Sequence, residues 1–102
     1  MKITDIIAIE EVQQDLDEAE CFYDLQSPGL GQYFRDSLVT DFQSLWLYAG
    51  IHSKKYGYYR MPASRFPYSI YYEIKRSVVI IMAILDMRQN PSKSQSKLLS
   101  RG

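Results

Sequence analysis

Apolar positions change period twice along this chain, and each change predicts a change of element. Ile3, Ile6, Ile7 and Ala8 make a brief apolar run suited to a short first strand. From Ile9 the apolar residues fall at three- and four-residue steps: Ile9, Val12, Leu16, Ala19, then Phe22 or Tyr23. That spacing puts one apolar stripe on an amphipathic helix, with the intervening Glu and Asp residues on its wet side. Ser27 and Pro28 read as the cap and first residue of a second helix. Phe34, Leu38, Phe42 and Leu45 line one side of it, and Gly50 stands where a glycine terminator belongs. Two helices joined by a short turn predict an αα-hairpin.

Beyond Gly50 the residues become aromatic and β-branched. Strands are predicted at Tyr58 to Met61, Phe66 to Ile74 and Val78 to Leu85. The middle one has period two: Phe66, Tyr68, Ile70, Tyr72 and Ile74 alternate with Pro67, Ser69, Tyr71, Glu73 and Lys75. Pro62-Ala63-Ser64 joins the first two strands, and Lys75-Arg76-Ser77 reverses the chain into the last. Val78 to Leu85 is apolar on both faces and predicts an interior strand. The order is β-α-α-β-β-β, an α+β fold with a helical hairpin packed on an antiparallel sheet. Residues 1–90 form one domain. Residues 91–102 form a basic, serine-rich polar tail, expected to be disordered or helical only beside a partner.

At 102 residues the chain holds one hydrophobic core. No apolar run approaches the roughly 18 residues of a membrane span, so no membrane partner is expected. Asp5 comes too early for a secretory signal, and a single cysteine, Cys21, fits a reducing compartment. The expected location is the cytoplasm. One Cys and one His supply no ordinary metal site, and Gly29-Leu30-Gly31 lacks the lysine of a phosphate loop. No cofactor is expected.

A net charge of zero conceals a strong asymmetry. Residues 1–50 carry Lys2 and Arg35 with ten of the twelve acids. Residues 51–102 carry the other ten bases with only Glu73 and Asp86, so the halves stand at −8 and +8. Such a division points to an anionic partner for the basic half, or to acidic helices offsetting a basic sheet. Six of the nine tyrosines lie between Tyr56 and Tyr72. Tyr68 and Tyr72 are expected in the core, and Tyr71, on the opposite face, is expected to meet a partner.

The element order, with Phe22-Tyr23, Ser27-Pro28-Gly29-Leu30-Gly31, Tyr59-Arg60-Met61-Pro62, Arg65-Phe66-Pro67-Tyr68-Ser69-Ile70-Tyr71-Tyr72 and Ile84-Leu85-Asp86-Met87-Arg88-Gln89-Asn90-Pro91, resembles the RelE/ParE superfamily of type II toxin–antitoxin systems, the plasmid stabilisation proteins. The resemblance implies a toxin held inactive by a cognate antitoxin. Its ParE-like branch inhibits DNA gyrase, and its RelE-like branch cuts messenger RNA on the ribosome. A third class of relative binds antitoxin without toxicity. An exposed sheet edge also suits pairing with a second copy, as a homodimer, or with an antitoxin segment.

RNA cleavage needs a base, an acid and cations for the charge developing on phosphate. Arg60, Arg88, Lys54, Lys55 and Tyr71 are the catalytic candidates if the chain is an enzyme. Arg60 and Arg88 lie near strand ends that a meander brings to one face. Arg60, Arg65, Tyr71, Asp86 and Arg88 are the expected target- or antitoxin-binding set, with Arg65 also readable as an edge charge. Where many nuclease relatives carry a histidine, this chain has Asp86. Aspartate is an anion at neutral pH and reads as the salt-bridge partner of Arg88. Where ribosome-dependent relatives carry a mid-strand arginine, it reads Tyr68-Ser69-Ile70. Both departures favour the ParE-like branch. His52, in the connecting loop, reads as plain surface.

Overall fold

A computed structural model describes residues 2–102. Strand β1 (Asp5–Ala8) leads into helices α1 (Glu10–Gln26) and α2 (Leu30–Tyr48). Strands β2 (Lys54–Lys55), β3 (Tyr58–Pro62), β4 (Tyr68–Lys75) and β5 (Val78–Asp86) follow, then helix α3 (Pro91–Arg101). The five strands form one sheet in the order β1-β5-β4-β3-β2. The α+β plan and the helical hairpin are as predicted.

Three features correct the expectations. The sheet is mixed, because β1 pairs with β5 in parallel, Ile6 opposite Val79 and Ala8 opposite Ile81. This makes β5 the interior strand its two apolar faces imply. The second helix does not begin at Ser27-Pro28. Ser27 ends α1, its N–H bonded to the Tyr23 carbonyl, and Gly29 at φ +89° precedes α2. The reversal needs left-handed backbone, which glycine adopts without steric cost. Finally, residues 91–101 are neither disordered nor partnerless coil. Asn90 caps α3 by accepting the Ser92 N–H, and Pro91 occupies the first turn, where its missing N–H costs nothing.

The sheet is therefore covered on both faces. On one, the hairpin buries Val12, Leu16, Ala19, Phe34, Leu38 and Leu45 against Ile70, Tyr72, Val79, Ile81 and Ile84. Tyr23, Phe34, Phe66 and Tyr68 form an aromatic cluster with ring centroids 4.9 to 6.3 Å apart. On the other face Leu98 of α3 packs with Tyr71, Met82, Ala83 and Leu85. The β4–β5 register skips between Tyr71 and Tyr72, which pair with Ala83 and Ile81 and leave Met82 as the extra residue of a bulge. Met82 and Ala83 consequently both serve the α3 face.

Candidate functional site

Pairing registers place the predicted site residues. In β4, Tyr68 lies opposite Asp86, and Tyr71 lies opposite Arg60. Tyr68 and Tyr71 are three residues apart in regular strand, so their side chains point to opposite faces. Asp86 follows Tyr68 to the hairpin face, whereas Arg60 follows Tyr71 to the α3 face. The two arginines do not converge, which corrects the expectation of a single exposed face.

On the α3 face, Arg60 donates from Nε to the Ser69 hydroxyl at 3.0 Å. Among the described residues no carboxylate forms an ion pair with Arg60. A small cleft of about 80 Å³ is bounded by Arg60, Lys55, Tyr56, Tyr71, Asp86 and, from α3, Ser94. The Lys55 ammonium lies over the Tyr56 ring, 5.2 Å from its centroid. Tyr71 is only 4% exposed, so it is not the open contact residue expected. Burial raises its phenol pKa, and Arg60 pulls it partly back.

On the hairpin face, Arg88 clasps Asp86. Its Nε donates to Oδ1 at 3.0 Å and its Nη2 to Oδ2 at 2.9 Å, while its backbone N–H also donates to Oδ1. The Arg88 side chain remains 56% exposed. These bonds hold the Asp86 carboxyl below its ordinary pKa, so it stays an anion and offers no proton. The pairing inferred for Asp86 and Arg88 is thus present. Beside them lie Tyr23 and Tyr68, and burial pushes the Tyr68 phenol up to about 12.

The remaining candidates scatter. Lys54, paired with Tyr59, belongs to the hairpin face, its ammonium 4.9 Å from the Tyr59 ring centroid. Arg65 lies exposed in the β3–β4 loop over Tyr33, at 5.8 Å. His52 is not plain surface: its Nδ1 lies 2.6 Å from the Tyr72 hydroxyl, which also accepts the Gly50 N–H at 2.9 Å. Having accepted from Gly50, the Tyr72 hydroxyl can donate its proton to Nδ1 of a neutral His52 ring. Burial lowers its pKa accordingly. Among the described residues no cluster of three or more His, Cys, Asp or Glu side chains is placed to hold a metal ion. No helix among them is long and apolar enough to cross a membrane.

One solved structure, described as a chromosomal ParDE TA system from P. aeruginosa, superposes on this chain with a TM-score of 0.75. The match covers 84% of this chain and 98% of that one, at 18% identity. The chain has a ParE-like fold. No protein-family model and no curated protein matches it. At that identity the likeness is one of backbone course, and roles within the ParE-like fold rest on this chain's own side chains.

Sequence reasoning missed Ser69 and Ser94 of the cleft, along with a buried pair, Asp15 and Arg101. Asp15 carried a usable signal. It sits three residues after Val12, on the apolar stripe of α1, where a carboxylate requires a partner.

Proposed function

We propose that this chain is the toxin of a type II toxin–antitoxin pair, ParE-like in action. It binds a large cytosolic target such as DNA gyrase and is neutralised by a cognate antitoxin. The supporting observation is the division of the cationic groups within a ParE-like fold. Arg88 is neutralised by Asp86, Arg60 occupies the opposite face beside Ser69, and neither is hydrogen-bonded to a histidine. A nuclease needs acid, base and phosphate-binding cations converging on one phosphate. A protein-binding toxin needs only surface complementary to its target.

Arg60 supports the second reading, a ribosome-dependent endoribonuclease. An arginine with no carboxylate partner, beside Lys55 and two phenols, suits phosphate oxygens. The sheet has two outer strands, β1 and β2. A homodimer through β2 is less favoured, because its two lysines would face their own copies in an edge-to-edge pair.

Expression of the chain alone, scored by growth, messenger integrity and plasmid supercoiling, tests the reading. Growth arrest with lost supercoiling and intact messenger is expected. Arrest with cleaved messenger, abolished by Arg60→Ala, would establish the nuclease instead. Normal growth would mark a diverged chain that only binds antitoxin.

A further inference from the structure

The C-terminal helix has the build of a separate, weakly held unit. It is 11 residues long and contains four serines and no alanine. That is shorter than the roughly 12–15 residues an isolated helix needs even with good formers. Its hold therefore comes from what it docks against. Leu98 is 0% exposed and is its one buried large apolar side chain. Leu99, its neighbour, faces solvent. At the first turn the Pro91 carbonyl accepts from the Tyr56 hydroxyl at 3.3 Å. At the last turn Arg101 donates to both carboxylate oxygens of Asp15 and, at 3.2 Å, to the Met82 carbonyl.

Under this helix lies the buried part of the α3 face. Tyr71, Met82, Ala83 and Leu85 are covered by it, and Ser94 forms one wall of the Arg60 cleft. The hairpin, by contrast, packs two long helices on the other face of the sheet, and its core owes little to α3.

We propose that α3 is a releasable latch. It undocks as a unit while the sheet and hairpin stay folded, the Asp15–Arg101 pair sets how often it does so, and undocking opens the Arg60 cleft and the apolar sheet face around Tyr71. Physically, the last turn of α3 is held by Leu98 and by one multidentate ion pair, so loss of that pair removes the charged part of the hold at its C-terminal end. Asp15 survives the release, because the Ile84 N–H still donates to it at 3.0 Å and water reaches its other oxygen. Proteins commonly open in such cooperative pieces, at free energies below that of global unfolding. The latch is independent of any toxic activity.

Thiol labelling of the full-length chain tests this, with Cys21 replaced by serine to remove the exposed native thiol. Ala83→Cys and, separately, the near-isosteric Ser94→Cys report the space under α3. Ser37→Cys, in the hairpin core, reports global unfolding. Ellman's reagent without denaturant is expected to label the thiols at 83 and 94 at least about tenfold faster than the thiol at 37. Arg101→Ala should accelerate the first two by a further factor of about ten and leave the third unchanged. Equal rates at all three positions would overturn the latch, since α3 would then open only with the whole fold. Fast labelling at 83 and 94 that Arg101→Ala does not change would overturn the role of the ion pair.

Discussion

Asp15 and Arg101, 86 residues apart, meet through two hydrogen bonds of 2.6 and 2.8 Å. Their side chains are 4% and 9% exposed. The pair lies at the open edge of β5, beyond the point where β1 ends opposite Ile81. There Asp15 accepts the Ile84 N–H and Arg101 donates to the Met82 carbonyl. Two backbone groups left bare by the short first strand are thereby satisfied, and α1, β5 and α3 are joined at one place. Buried backbone groups must find such partners.

The two residues are not equivalent. Asp15→Ala deprives both Ile84 and Arg101, and removing one partner of a buried pair costs about 3–5 kcal/mol. Arg101→Ala should cost less, because its loss is capped by the docking free energy of α3 and Asp15 keeps the Ile84 bond. Urea unfolding of the two variants is expected to show Asp15→Ala as the more damaging.

Gly31 is a point of close approach between the two hairpin helices. A β-carbon there would press on the Glu20 carbonyl oxygen and lie 2.7 Å from the Asp24 carboxylate. The Gly31 N–H also donates to Asp24 at 2.8 Å, a bond this pressure would spread. Alanine improves helix propensity by about 1 kcal/mol, whereas overpacking costs about 1–3 kcal/mol. Gly31→Ala is expected to lower the thermal midpoint despite the better helix former.

Acid should weaken the His52–Tyr72 contact. Burial lowers the pKa of folded His52 below its ordinary 6.5, so the unfolded chain binds more protons in the interval between the two values. The contribution is complete above pH 6.5 and is lost as pH falls from there through the folded value. His52→Gln should flatten that part of the stability–pH curve, measured by chemical denaturation at a series of pH values.

Alkali should act through Tyr68, whose phenol ionises at about 12 rather than 10.0. A raised folded pKa means stability is intact below pH 10 and declines as pH climbs from 10 through 12. Phenolate absorbance should show a late-titrating tyrosine that Tyr68→Phe removes. That variant should also lose stability less steeply over the same interval.

Local pattern settled the elements whose residues carry their own reason. The stripe from Ile9 to Tyr23 and that from Phe34 to Leu45 became α1 and α2, because a 3.6-residue period buries one side of a helix wherever it packs. Alternation from Phe66 to Ile74 and the doubly apolar run from Val78 became β4 and β5. The adjacent Asp86 and Arg88 were legible as a pair, since their contact spans two residues.

Tertiary structure decided what depends on distant partners. A strand's period assigns alternate residues to two faces, but only pairing register says which faces Arg60 and Arg88 take. Their split across the sheet follows from Tyr68 and Tyr71 being an odd number of residues apart. The polarity of residues 91–101 was plain in the sequence, yet helicity there depends on a slot for Leu98 and on an acid 86 positions away. Local propensity is too weak to order so short a serine-rich segment, so its structure comes from the surface that receives it.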